Sequence, residues 1–160
     1  MTDSARKLFQ HYGLMLEIEP TAHRSLYHYA GVLGFTGEGI RGMLVVSASG
    51  PAVEATFPEG GSDDDREDWV GELCNQILGR IANRVIRYSM SIKMSTPVTF
   101  SGRDYTMQKS HWGEQQGWLM RGAGNADVYV HFSADVDEHV SWAVDEDAED
   151  APEEGDVMLF

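Results

Sequence analysis

Apolar side chains recur with a helical period between Val70 and Tyr88. At about 100° per residue, Val70, Leu73, Cys74, Ile77, Leu78, Ile81, Val85 and Tyr88 all fall within roughly 80° of Val70. A stripe of that width has to be buried, so the pattern predicts a helix over 63–88 packed on another layer. Its start is marked as well. Ser62 and Asp65 have the spacing of a capping box, and Asp63, Asp64, Asp65, Glu67 and Asp68 suit the positive end of a helix dipole. Consecutive aspartates lack the spaced ligands of a calcium loop, so they are read as capping.

The flanking patterns are mostly those of strands. Ala5, Leu8, Phe9 and Tyr12 recur at helical spacing before Gly13, which predicts a short opening helix over 4–13. Leu14 to Ile18 reads as a brief strand ended by Glu19 and Pro20. Ser25 to Phe35 and Ile40 to Ala48 are rich in Tyr, Val and Leu, and the Thr36 to Gly39 segment between them predicts a hairpin turn. Gly31, Gly34 and Gly42 weaken these runs as strands and are read as bulges or points of close packing. Residues 51–58 read as one or two helical turns. Ser91 to Phe100 reads as a strand around Pro97, and Trp118 to Arg121 and Val128 to Phe132 as two more, joined by residues 122–125. Together these elements predict an α+β domain: a six-stranded, mainly antiparallel sheet with helices packed on one side.

Composition narrows the function. The 160 residues amount to one domain, and 12 basic against 26 acidic residues give a formal charge of −14. That sign excludes a protein that wraps phosphate backbone, so no nucleic-acid partner is expected. Residues 135–160 hold 11 of the acids and no Lys or Arg, leaving 15 acids and 12 bases before them. Residues 1–142 are therefore read as the folded domain and 143–160 as an acidic, disordered tail with an apolar end, Val157 to Phe160. No apolar run approaches the roughly 20 residues of a membrane span, and the opening residues carry no signal-peptide pattern. A cytoplasmic chain without membrane insertion is expected. Cys74 is the only cysteine, which excludes an intrachain disulfide and a cysteine-built metal site, and its place on the apolar stripe marks it as a core residue rather than a nucleophile. His11, His23, His28, His111, His131 and His139 show no metal-ligand spacing, and Trp112, Trp118 and Trp142 read as packing residues.

Candidate chemistry lies opposite the stripe. On the same wheel Asn75, Asp68, Gly79, Glu72 and Asn83 fall between about 140° and 220°, on one exposed ridge. Glycine inside a helix costs about 1 kcal/mol relative to alanine, and Gly79 stands one turn beyond Asn75, where it suits the close approach of another body. Glu72 and Asn75, at i and i+3, project over the same turn, so a carboxylate and a neutral amide address one external target together.

The string Asp68-x-x-x-Glu72-x-x-Asn75-x-x-x-Gly79 on a long helix, followed some twenty residues later by Pro97, resembles the signature of the chemotaxis phosphatases CheX and CheC. The stretches from Phe35 to Gly42 and from Met94 to Phe100 look like the flanking family elements, so the resemblance spans roughly residues 5–134. One Glu/Asn signature in one helix is more similar to CheX than to CheC, which usually carries two. The resemblance implies a CheC-like fold, a homodimer, and hydrolysis of the phosphoaspartate of a CheY-like response regulator. It implies that Asn75 orients the attacking water and that Glu72 pairs with a regulator lysine. Asp68, Gly79 and Asn83 would then lie in the partner-binding ridge. No cofactor or metal of the chain's own is implied; the Mg2+ belongs to the phosphorylated regulator.

Two rival readings remain. The fold family includes noncatalytic relatives in the flagellar switch, so the chain could be an adaptor or sensor, although retention of both Glu72 and Asn75 argues against it. Alternatively the function resides in the acidic tail. Deleting residues 143–160 separates these: on the catalytic reading turnover of a phosphorylated regulator survives the deletion, and on the tail reading partner binding is lost.

Overall fold

The computed structural model describes residues 2–20, 28–57, 61–102 and 113–143. Within them the elements run α1 (Thr2–His11), β1 (Glu17–Pro20), β2 (Tyr29–Gly37), β3 (Ile40–Ala48), α2 (Gly50–Thr56), α3 (Asp63–Val85), β4 (Ile92–Met94), β5 (Val98–Ser101), β6 (Glu114–Arg121) and β7 (Asp127–Val136). The strands form one sheet in the order β1-β6-β7-β3-β2-β4, with β5 also on β2. Every pairing is antiparallel.

Helix α3 is the central packing element. Val70, Leu73, Cys74, Ile77 and Leu78 are fully buried, against Leu33, Leu44 and Val46 of the sheet and Leu8 and Phe9 of α1. The last positions of the predicted stripe, Ile81, Val85 and Tyr88, are only partly buried, and the helix tightens into a 3₁₀ turn over Ile86–Tyr88. At the other end the capping box is formed: the Asp65 N–H donates to Ser62 Oγ at 3.3 Å, and the Ser62 N–H donates to Asp65 Oδ2 at 2.7 Å. Helix α1 closes on Gly13 at φ +81°, which lets the Gly13 N–H reach the Gln10 carbonyl at 3.0 Å and the Leu14 N–H reach the Phe9 carbonyl at 2.9 Å.

The closeness of α3 to the sheet depends on Gly31. A Cβ there would lie 2.8 Å from Cys74 Sγ and 3.3 Å from the Val70 carbonyl oxygen, so any side chain on this part of β2 would push the helix away. Gly42 is likewise a point of close packing, against the Ser133 carbonyl and the Phe35 ring. Neither is a bulge, because β2 and β3 stay in register from Tyr29 opposite Ala48 to Gly37 opposite Ile40.

Three expectations are corrected. Ser91 to Phe100 is two strands rather than one, which raises the count from six to seven. Pro97 has no N–H for the ladder and disfavours continuation through Thr96, so β4 and β5 pair with different ends of β2. Between them Ser95 holds Gly34 from both sides: the Gly34 N–H donates to Ser95 Oγ at 3.1 Å, and the Ser95 N–H donates to the Gly34 carbonyl at 2.9 Å. Secondly, β1 starts later than Leu14 and runs through Pro20, which is tolerated because β1 is an edge strand pairing only with β6. Thirdly, β6 and β7 extend well beyond Trp118 to Arg121 and Val128 to Phe132. Residues 25–27 of the expected second strand, His23, His111, Trp112, and the tail from 144 to 160 with Val157 to Phe160 lie outside the described residues.

No helix among the described residues is long and apolar enough to cross a membrane. Cys74 has zero exposure, and burial pushes its thiol up to about 12. Thiolate is the reactive form. A disulfide reagent at pH 8 is therefore expected to leave Cys74 unmodified in the folded protein and to label it fully once guanidinium unfolds the chain; labelling at equal rates in both states would contradict this packing.

Candidate functional site

With α3 rolled onto its apolar stripe, the opposite side of the helix forms a ridge between two flanks. On one flank lies α1, on the other β5. Glu72 and Asp68 are exposed, whereas Asn75, Gly79 and Asn83 are half-buried on the ridge. The structure thus brings all five predicted residues to one helix side. Glu72 and Asn75 stand within one turn of each other, about 5–6 Å apart at Cβ by helix geometry. The Asn75 amide makes no hydrogen bond to another described side chain and remains able to donate and accept outward. Gly79 is not explained by internal crowding, since a Cβ there would meet nothing within 4 Å. Asp68 takes no part in the helix cap, which Ser62 and Asp65 complete.

Strand β5 and the proline before it approach this flank at three points. The Ser101 hydroxyl donates to the Glu67 carboxylate. Further along, a Cβ on Gly71 would sit 3.0 Å from Thr99 Cγ2 and 3.5 Å from Pro97 Cβ, so a glycine at 71 lets the strand close against the helix. Pro97 is thereby set beside Gly71, one turn before Asn75 on the same side of α3. That gives the distant signature proline a physical place: it borders the ridge on the amide side.

The other flank contains residues that sequence reasoning missed. Gln76 Nε2 donates to Glu72 Oε1 at 2.9 Å, and the Tyr12 hydroxyl donates to Gln76 Oε1 at 2.9 Å. Tyr12 stacks edge-on against Trp69, with ring centroids 5.0 Å apart, and Trp69 Nε1 donates to Thr56 Oγ1 at 3.2 Å. Gln76 was legible in principle as the i+4 neighbour of Glu72. Tyr12, 64 positions away from Gln76, left no such signal.

The electrostatics of the ridge are acidic. Asp68 and Glu72 share it, and the helix begins with three further aspartates, of which Asp65 is held below the usual carboxylate range by the Ser62 hydroxyl and N–H. Asp63 is engaged by Arg66 Nη1 at 2.8 Å and by the Tyr29 hydroxyl at 3.3 Å. Such a surface can receive a cationic group, and a neutral amide beside it can fix a water or another oxygen without carrying charge itself. An amide is no general base near neutral pH, so what such a pair can offer is positioning. Elsewhere His131 is buried in β7, where burial lowers its basicity, and it lies on the sheet rather than on the ridge. Among the described residues no group of three or more His, Cys, Asp or Glu is arranged to hold a metal ion. Trp118 packs on the core, and Trp142 is exposed with its ring edge-on to Tyr88.

Known proteins share this fold. A family model described as chemotaxis phosphatase CheX matches residues 29–116. None of the curated proteins matches significantly. Among solved structures, the chain is similar to the chemotaxis protein CheX of Vibrio vulnificus, with TM-score 0.71 and 20% identity over 83% of this chain and 92% of that one. It is similar to a chemotactic CheC-like protein of Shewanella oneidensis, with TM-score 0.70 and 16% identity over 83% and 94%. A third is the CheX-CheY-BeF3-Mg2+ complex of Borrelia burgdorferi, with TM-score 0.66 and 14% identity over 83% and 94%. These likenesses establish the fold. The family match covers more than half of the chain and contains β2, β3, the whole of α3 and the strand that follows Pro97, and on that ground the chain belongs to the chemotaxis phosphatase CheX family.

Proposed function

We propose that this chain hydrolyses the phosphoaspartate of a CheY-like response regulator, in chemotaxis or another two-component pathway, and that it does so as a homodimer. The observation that carries the reading is the pairing of Glu72 with Asn75 on the outward side of a helix whose other side is locked into the core. The Borrelia burgdorferi relative is captured in a complex with CheY, BeF3 and Mg2+, which supports a regulator as partner and accords with a Mg2+ brought by the regulator.

In this reading Asn75 holds a water in line with phosphorus through its carbonyl oxygen and NH2 group. The water oxygen bonds to phosphorus, the bond from phosphorus to the aspartyl oxygen breaks, and the aspartate leaves as carboxylate. The water's protons pass to the released phosphate and to solvent. Glu72 forms a charge-assisted pair with a regulator lysine, which sets register and brings the amide to the phosphoryl group. Phosphoryl transfer relies largely on positioning and on electrostatic stabilisation of the transferred group, so this pair together with the regulator's own cation suffices. Asp68 extends the acidic ridge, Asn83 lies at its far end, and the missing side chain at Gly79 leaves room for the regulator's surface. The working unit is residues 1–142.

Two outcomes are expected from dephosphorylation assays on a panel of phosphorylated regulators. Asn75→Ala lowers kcat by about 100-fold with little change in KM, and Glu72→Ala raises KM by about tenfold or more, as loss of a charge-assisted contact should. Binding that persists with no acceleration of decay by the wild type would favour the adaptor reading. Gly79→Ala separates fold from function: it should raise helix stability by about 1 kcal/mol in urea titrations, because the added Cβ meets nothing of its own chain within 4 Å, while weakening regulator binding.

A further inference from the structure

The hydrogen bonds on the α1 flank run in one direction and end on Glu72. A carboxylate only accepts, so the Gln76 amide must turn its NH2 toward Glu72 and leave Oε1 facing away. That oxygen is the one to which the Tyr12 hydroxyl donates. The Tyr12 ring is seated edge-on against Trp69, whose indole N–H is tied to Thr56, whose hydroxyl is tied to the Ala52 carbonyl at 3.0 Å. An i,i+4 contact on an open helix face is weak and easily exchanged for water. Here the second hydrogen bond, from a different helix, fixes which way the amide points. Glu72 Oε2 has no partner among the described residues.

From this geometry we infer that Tyr12 and Gln76 are positioning residues that hold the Glu72 carboxylate in one orientation, with one oxygen occupied and the other presented to the cation of the docking partner. The inference rests on the proposed role of Glu72 as the regulator contact. A glutamate on a bare helix face populates several rotamers and loses that freedom when it is captured. A glutamate already held loses less, which strengthens binding without adding any contact to the partner. The arrangement also makes α1 part of the docking apparatus, although none of its residues belongs to the ridge.

Tyr12→Phe is the informative substitution, since it deletes the hydroxyl and keeps the ring against Trp69. Wild type, Tyr12→Phe, Glu72→Ala and the double variant are compared by two measurements: affinity for a beryllofluoride-activated regulator together with KM and kcat, and the NMR order parameter of the Glu72 Cγ methylene in the free protein. Tyr12→Phe is expected to weaken binding and raise KM by about threefold to tenfold with kcat unchanged. It should also lower the order parameter, and it should add nothing to Glu72→Ala. An order parameter unaffected by Tyr12→Phe overturns the relay whatever the activity. A lowered order parameter alongside wild-type affinity in Glu72→Ala overturns instead the reading of Glu72 as the regulator contact, and with it the role assigned here to Tyr12 and Gln76. An equal loss from Tyr12→Phe in the wild-type and Glu72→Ala backgrounds overturns the inference as well, because the effect would then bypass the carboxylate.

Discussion

The contact between α3 and β2 at Gly31 governs the rest of the structure. A helix can lie on a sheet with some freedom to roll about its own axis, and a roll of one residue, about 100°, would carry Glu72 and Asn75 from solvent toward a flank. The absence of a side chain at Gly31 seats Cys74 and the Val70 carbonyl directly against the strand backbone. That close seat, continued by Leu73, Ile77 and Leu78 at zero exposure, leaves one rotational setting in which the core is filled. The outward direction of the ridge is therefore a product of core packing. Nothing on the ridge itself needs to hold it there.

Much of this was legible because it is local. The stripe from Val70 to Tyr88, the Ser62 and Asp65 box and the common direction of Asp68, Glu72, Asn75, Gly79 and Asn83 all follow from helix geometry and short spacings, and the structure has them together. The hairpin through Gly39 followed from turn chemistry in the same way. What escaped depends on chain segments far apart in sequence. The break between β4 and β5 was hinted at by Pro97, but only β2, with different partners at its two ends, decides that both halves remain strands. The neighbours of Gly71 are invisible until β5 is laid against the helix. Tyr12 had the spacing of a core residue and is one by its ring; its hydroxyl found Gln76 through the packing of α1 on α3.

The site also shows how two kinds of side chain share one helix. Cys74 stands between Leu73 and Asn75 in sequence, yet burial leaves its thiol protonated and inaccessible, while its neighbour's amide is half-exposed on the ridge. The reactive potential of a residue here is set by its angle on the helix more than by its chemical type. An acidic ridge with an uncharged amide at its centre is incomplete as a catalyst on its own. On the proposed reading it supplies one negative surface and one positioning group, and the cationic and phosphoryl components would come from the partner.

The first turn of α3 has a bearing on how such a partner can arrive. Helix N-termini are ordinary resting places for phosphate, since their free N–H groups and dipole favour anions. Here Ser62 and Asp65 occupy the end, and Asp63 and Asp64 add two more carboxylates beside it. A phosphorylated surface approaching the helix end-on would meet like charge within a Debye length. The same helix thereby closes the mistaken landing place that its own geometry would create.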